Sequence, residues 1–361
     1  MQETIETKKV FIVFLILKLN TYRLFVAMGV FLNKTSCMHA IEFYNKEFVR
    51  HLEDKIQTKA PHNLYEPIVY ILQLGGKRLR PVLTLLATEL FGGDYKNALD
   101  AALAIEVFHN FSLVHDDIMD DAPLRRGKTT VHEKWDINTG ILSGDAMLIK
   151  SYQILESYPN EIFKELLQLF SKTALEVCEG QQYDVDFETS EDVTLPEYLK
   201  MIEYKTAVLI AAAIKMGAII SGTSKKNQDL VYEFGKNLGI AFQLQDDYLD
   251  AFGDPKTFGK QIGGDIIENK KTFLYLRAIE LASVKEKETL LHLYSITPTN
   301  PSEKIEAIKA VFEKSGSTTS TQKEIEQYTN KAFVVLESLE LTKNKKELLH
   351  RFGENLMRRK V

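Results

Sequence analysis

From Met38 onward, apolar residues recur every three to four positions, the period of an α-helix with one buried face. The pattern predicts helices over residues 98–116, 142–156, 162–179, 198–221, 230–251 and 272–281. The alternation of a half-buried strand is nearly absent, so the expected fold is all-α, with long core helices and short loops. Breaks are expected at Gly75-Gly76, Gly92-Gly93, Pro123, Pro159, Pro196, Gly253-Asp254-Pro255 and Gly263-Gly264. Residues 207–213 are small and apolar on every face, as in a helix at the centre of a protein or lining a cavity. Residues 297–301 and 316–321 read as surface loops, and neither reads as a domain linker.

Two aspartate patterns interrupt this apolar order. Asp116-Asp117-Ile118-Met119-Asp120 and Asp246-Asp247-Tyr248-Leu249-Asp250 stand 130 positions apart, each with carboxylates at i, i+1 and i+4. In a helix the first and last of each trio share a face one turn apart. Asp is a poor interior helix former and three together repel, so a cation is needed to offset the cost. Phe111, Leu113 and Val114 precede the first trio, and Ile240, Ala241, Phe242 and Leu244 the second, which marks interior helices and argues against two solvated acidic turns. Two such clusters facing each other would grip a Mg2+-diphosphate, because hard divalent ions take carboxylate and phosphate oxygens. They are too far apart to share a helical hairpin, so one domain must bring them together.

Composition adds limits. An apolar fraction of 45% and a charged fraction of 26% over 361 residues are ordinary for a globular protein with a sizeable core. The net charge of −5 argues against a general nucleic-acid binder, so any anion site must come from local basic clusters. Cys37 and Cys178 form neither a metal-ligand spacing nor a disulfide framework, which fits a reducing, cytoplasmic setting. Residues 1–37 look unlike the rest. Their apolar runs, 10–17 and 24–32, are too short to span a bilayer, so no stable membrane insertion is expected. Lys8 and Lys9 ahead of the first run faintly suggest a signal peptide, but no small-residue cleavage site follows. The segment reads as an atypical extension, with Met38 a natural beginning and a membrane-associating helix the alternative.

A diphosphate also needs cations from the protein. Gly75-Gly76-Lys77-Arg78-Leu79-Arg80-Pro81 places three charges just ahead of a helix starting near Pro81. Arg125-Arg126-Gly127 follows the first aspartates, and Lys205, Lys260, Lys270 and Lys271 flank the second. Lys260 lies in a Gly-rich segment, 253–264, able to close over a ligand. Each residue alone is more often a solvated cation; beside two aspartate-rich helices the set reads as an anion site.

In this order, Gly-Gly-Lys-Arg-Leu-Arg-Pro, Leu-Val-His-Asp-Asp-Ile-Met-Asp, Arg-Arg-Gly, Lys-Thr and Gln-Leu-Gln-Asp-Asp-Tyr-Leu-Asp resemble the trans-isoprenyl diphosphate synthases over residues 64–277. The resemblance implies a single-domain helical bundle around a deep central cavity over residues 38–361, a homodimer, and Mg2+, three ions per site. It implies condensation of isopentenyl diphosphate with an allylic diphosphate (dimethylallyl, geranyl or farnesyl) by ionisation, condensation and elimination. By the same resemblance Asp116, Asp117, Asp120, Asp246, Asp247 and Asp250 hold the metals, with Asp116, Asp120 and Asp246 the direct ligands. Arg125, Lys205 and Lys260 match positions at the allylic diphosphate, and Lys77, Arg80, His109 and Arg126 the isopentenyl site. Thr206 and Gln243 match polar groups near the reacting carbons, and Lys270 a further cationic position. His115 is expected to be structural.

The family limits product length with side chains below the first aspartates. Phe111 lies five residues before Asp116, about 7.5 Å down a helix, with Phe108 nearly another turn below and small Ser112 between them and the metals. A single ring there resembles archaeal-type geranylgeranyl (C20) synthases more than farnesyl (C15) synthases. Three competitors are a class I terpene cyclase, which usually lacks this second aspartate motif, an HD-type phosphohydrolase, for which His132 is poorly spaced, and a non-catalytic partner subunit, which tends to lose the aspartates kept here.

Overall fold

The computed structural model describes residues 34–254 and 262–357, with side chains from His39 onward. Among these the chain is almost wholly helical, as the apolar period predicts. The helices are α1 (Lys34–Lys55), α2 (His62–Gln73), α3 (Leu79–Leu90), α4 (Leu99–Met119), α5 (Val131–Lys134), α6 (Ile137–Leu155), α7 (Asn160–Thr189) and α8 (Leu195–Ile202). A five-residue π-turn, Glu203–Ala207, leads into α9 (Val208–Ile220) and α10 (Lys225–Phe252). Then come α11 (Gly264–Ile267), α12 (Phe273–Leu281), α13 (Val284–Tyr294), α14 (Ser302–Ser315), α15 (Ser317–Glu337) and α16 (Lys343–Met357). The described strands are two-residue pieces, β1 (Leu124–Arg125) and β2 (Lys128–Thr129).

Local chemistry sets several helix starts. Asp136 accepts from Thr139 N ahead of α6, and Thr194 with Glu197, like Ser283 with Glu286, closes a reciprocal capping box. The apolar helix α9 is central, as its composition predicts, and packs against α3, α7 and α10. Gly235 and Gly239 let α10 approach: an added Cβ would lie 2.9 Å from Ala211 Cα and 2.7 Å from Ala207 Cα. Helix α10 also runs through both apolar clusters of the core, contributing Phe234 and Leu238 to one and Ile240 and Leu244 to the other.

Two expectations are corrected. The run 198–221 is not one helix but is interrupted by the π-turn, because apolar spacing does not distinguish an inserted residue from a continuing helix. Residues 316–321 are not a surface loop: Gly316, at φ 81°, joins α14 to α15, and Ser317 and Thr321 are fully buried. Their hydroxyls donate to Phe312 O and Ser317 O, so the polar groups are satisfied inside the helix pair.

Candidate active site

The first aspartates lie at the end of α4. The Asp120 N–H still donates to Asp116 O at 2.9 Å, keeping these two side chains on one face, while Asp117 is buried. Two residues with positive φ, Arg126 (54°) and Gly127 (72°), then form a tight hairpin between β1 and β2. The hairpin sends its arginines in different directions. Arg125 donates Nε (2.8 Å) and Nη2 (2.5 Å) to Asp117 Oδ1 and approaches Asp116 Oδ2 at 3.5 Å. Arg126 instead donates to Gly75 O, its guanidinium filling the space where a Cβ on Gly76 would stand.

The second aspartates lie near the end of α10, on a helix that presents Gly235, Gly239, Gln243 and Asp247 along one face at four-residue spacing. The glycines give close approach and Gln243 gives chemistry: its Oε1 accepts from Thr206 Oγ1 at 3.0 Å and its Nε2 donates to Asp247 Oδ1 at 2.8 Å. Tyr198 donates its hydroxyl to Asp247 Oδ2. Asp246 and Asp250 are half-buried, and Asp250 Oδ2 accepts from Asp265 N at 3.0 Å.

The π-turn joins the two clusters. Lys205 Nζ lies 3.3 Å from Asp116 Oδ1 and 2.6 Å from Asp184 Oδ2, while the next residue, Thr206, reaches Gln243. Gly180 in α7 makes room for the turn, since an added Cβ would lie 2.7 Å from Lys205 Cα. A cavity of about 120 Å³ opens here, lined in part by Asp184, Lys205, Thr206, Gln243, Asp265 and Lys270. Burial alone would lower the Lys205 and Lys270 ammonium groups, but neighbouring carboxylates raise both, Asp116 and Asp184 at Lys205 and Glu268 and Asp120 at Lys270. Lys271 is diverted to the end of α7, where it donates to Phe187 O at 2.7 Å.

On the other side of the hairpin the charge is almost all positive. Arg78, at φ 46°, is buried and paired with Glu106, and it also donates to Leu72 O. Burial and the nearby Arg126 hold Arg80 down to about 10 against the pull of Glu106. His109 is pushed well below its ordinary value by burial and by Arg80, Arg126, Arg125 and Arg78, so its imidazole is neutral at pH 7. Lys77 is exposed at the rim.

Below the first cluster the rings form a column. His115 lies 4.9 Å from Phe111 between centroids, Phe111 5.4 Å from Phe108, and Phe108 5.3 Å from Phe170. Phe111 keeps 7% of its surface accessible and Phe108 none. Ser112 donates to His109 O at 2.8 Å. His115 fits against α6 only because residue 144 is Gly, and it sits 3.2 Å from Ile141 O, in keeping with the expected structural role.

The donor set fits a hard divalent cation. Among the described residues Asp117 Oδ2 is buried without a hydrogen-bond donor and Asp116 Oδ1 faces the Lys205 ammonium at 3.3 Å, and burial plus carboxylate repulsion raises Asp120 to about 6 and Asp247 to about 7. Crowded oxygen ligands with raised carboxyl groups are what a bound cation would relieve. Beside the first cluster, Asp121, His132 and Glu133 bring three further potential ligand atoms within 4.8 Å of one another. Lys260 lies outside the described residues, as do residues 1–33 of the predicted extension. The sequence reading did not single out Tyr198, Asp184 or Asp265. The polar run Gln181-Gln182-Tyr183-Asp184 on an otherwise amphipathic helix was the signal for Asp184; Tyr198 and Asp265 carried none.

An all-helical bundle that links two aspartate-bearing helix ends through Lys205, Thr206 and Gln243, beside a cavity lined by Lys205, Lys270 and Asp247, is the architecture of the isoprenoid synthases. The chain belongs to the polyprenyl synthetase family, whose profile matches residues 61–312, and it is a trans-prenyltransferase. It is 38% identical over 282 residues to a short chain isoprenyl diphosphate synthase of Methanothermobacter thermautotrophicus, covering 78% of this chain and 86% of that protein. It is 38% identical over 285 residues to a geranylfarnesyl diphosphate synthase of Natronomonas pharaonis, covering 74% and 81%. A crystal structure of a geranylgeranyl pyrophosphate synthase superposes with a TM-score of 0.86 at 53% identity, covering 89% of this chain and 99% of that one.

Proposed function

We propose that the enzyme condenses isopentenyl diphosphate with an allylic diphosphate to give a short all-trans product, geranylgeranyl diphosphate first among the candidates. The observation that carries this reading is the π-turn: Lys205 touches the first aspartate cluster, and Thr206 is linked to Asp247 of the second through Gln243, which supports one diphosphate meeting both. Asp116, Asp120 and Asp246 would hold Mg2+, three ions by the family resemblance, with Asp117 and Asp250 bracing Arg125 and the start of α11. Bound Mg2+ supplies charge neutralisation of the departing diphosphate. Arg125, Lys205 and Lys270 add fixed positive charge on the same side, preorganised before the carbon–oxygen bond breaks. Lys77, Arg80 and Arg126 hold the second diphosphate, with neutral His109 donating a hydrogen bond, so the isopentenyl double bond faces the allylic cation across the hairpin. Lys260 is assigned to the allylic diphosphate from sequence alone. Purified enzyme given isopentenyl diphosphate and each allylic starter should elongate; cyclised hydrocarbon would overturn this reading in favour of a terpene cyclase.

Residues 38–361 are proposed as the catalytic unit and two copies as the working assembly. The support for a homodimer is an apolar strip on α6 and α7, where Ile141, Leu142, Ile149 and Leu175 are exposed. Ile149→Asp with Leu175→Asp should yield monomers in sedimentation velocity, and an unchanged dimer would move the interface elsewhere. No described helix is long and apolar enough to cross a membrane; cytoplasmic placement is proposed on cysteine usage.

A further inference from the structure

Gln243 has an amide whose two ends do opposite things, and something must decide which end faces the reacting carbons. As a carboxylate, the form that the hydrogen bonds from Tyr198 and Gln243 favour, Asp247 only accepts, so the Gln243 end at Asp247 Oδ1, 2.8 Å away, is the NH2 group. That leaves the Gln243 oxygen at Thr206, 3.0 Å from its hydroxyl. Asp247 is in turn held at its other oxygen by the Tyr198 hydroxyl, and both side chains are buried. Each Asp247 oxygen already accepts from a protein donor, unlike Asp117 Oδ2 in the first cluster, which accepts from none among the described residues. Tyr198 comes from α8, Asp247 and Gln243 from α10 and Thr206 from the π-turn, so the chain of bonds spans three elements.

We propose that Tyr198 is a positioning residue that acts through Asp247 to fix the Gln243 amide with its oxygen toward Thr206 and the reacting carbons. Asp247 thereby serves as an orienting group rather than as a metal ligand. A carbonyl oxygen held there stabilises a neighbouring carbocation, whereas a flipped amide would present N–H groups to it. Fixing the amide beforehand removes a reorganisation that would otherwise accompany ionisation. The inference rests on the proposed location of Thr206 and Gln243 at the reacting carbons.

Tyr198→Phe removes one hydroxyl and keeps the ring. Steady-state kinetics with isopentenyl diphosphate and farnesyl diphosphate should show kcat lower by about tenfold, the rate equivalent of one hydrogen bond, with both KM values within about twofold. The share of allylic substrate released as alcohol rather than elongated should rise, because a poorly held cation is open to water. In a Gln243→Ala background the same change should cost less than about twofold, since the group it positions is gone. Asp247→Asn, which can donate as well as accept, should reproduce the Tyr198→Phe behaviour and serves as the second variant if Tyr198→Phe folds poorly. Equal losses in both backgrounds, or a loss confined to KM with no change in alcohol release, would overturn the proposal. If Gln243→Ala itself costs nothing, the location of Gln243 at the reacting carbons fails first, and this inference falls with it.

Discussion

Truncating Phe111 tests the product-length reading most directly. Its ring keeps 7% of its surface accessible and Phe108 directly behind it has none, so Phe111→Ala moves the floor to Phe108. Three residues of helix separate the two levels, about 4.5 Å at 1.5 Å per residue, which is room for about one further isoprene unit. The substitution should cost about 4 kcal/mol, the middle of the range for a buried Phe→Ala, because the ring is only 7% accessible. Products made from isopentenyl and farnesyl diphosphates would be dephosphorylated and separated by reversed-phase chromatography against chain-length standards. The main product should lengthen by one unit, and Phe111→Ala with Phe108→Ala should lengthen it further. Phe108→Ala alone should leave the length unchanged, because its ring lies behind an intact floor. A folded, active Phe111→Ala enzyme with the original product would refute the reasoning and leave Phe111 as core.

Asp116→Ala and Asp246→Ala should each lower kcat by roughly a hundredfold or more without altering the helical circular dichroism spectrum; normal turnover in either would remove the metal assignment. Partial burial and the Asp116 carboxylate raise Asp120 to about 6, so at limiting Mg2+ the rate should fall as pH drops through about 6 and Asp120 takes up its proton. Saturating Mg2+ favours the ionised form and should move that inflection to lower pH; a rate independent of pH between about 5 and 7 would contradict it. The sign for folding is opposite: a carboxyl raised above its unfolded value stabilises the protonated protein. In the metal-free enzyme Asp120 should therefore contribute stability that grows as pH falls from about 7 toward about 4, and the Asp120→Asn difference in thermal unfolding isolates that contribution. Gly180→Ala drives a Cβ against the backbone of Lys205 and Tyr204, with an expected loss of about 3 kcal/mol and a raised KM for the allylic substrate; wild-type unfolding and kinetics would mean the π-turn yields freely.

The clearest sequence signals were those repeated locally. Apolar spacing located α4, α6, α7, α10 and α12 to within a few residues, apart from the C-terminal end of α7, which runs ten residues beyond the predicted 179. The aspartate trios and the Gly-Gly-Lys-Arg and Arg-Arg-Gly segments marked groups that the fold does bring near one another. Residues 316–321 misled because Gly, Ser and Thr serve equally in loops and at buried helix starts, and only contacts with α14 distinguish the two. Tyr198 could not be read because its hydroxyl acquires meaning only from Asp247, forty-nine positions away.

By itself the sequence determined the helical class, the doubled carboxylates, the cations and the ring below them, since periodicity and charge are properties of short segments. Only the tertiary structure decided how those parts divide. The π-turn directs Lys205 to one aspartate cluster and Thr206 to Gln243, the neighbour of the other, and the Arg126-Gly127 hairpin sends Arg125 and Arg126 in different directions. The packing of α8 on α10 ties Asp247 to Tyr198. Such assignments depend on which distant groups share a few ångströms of space, and no local pattern of residues encodes that.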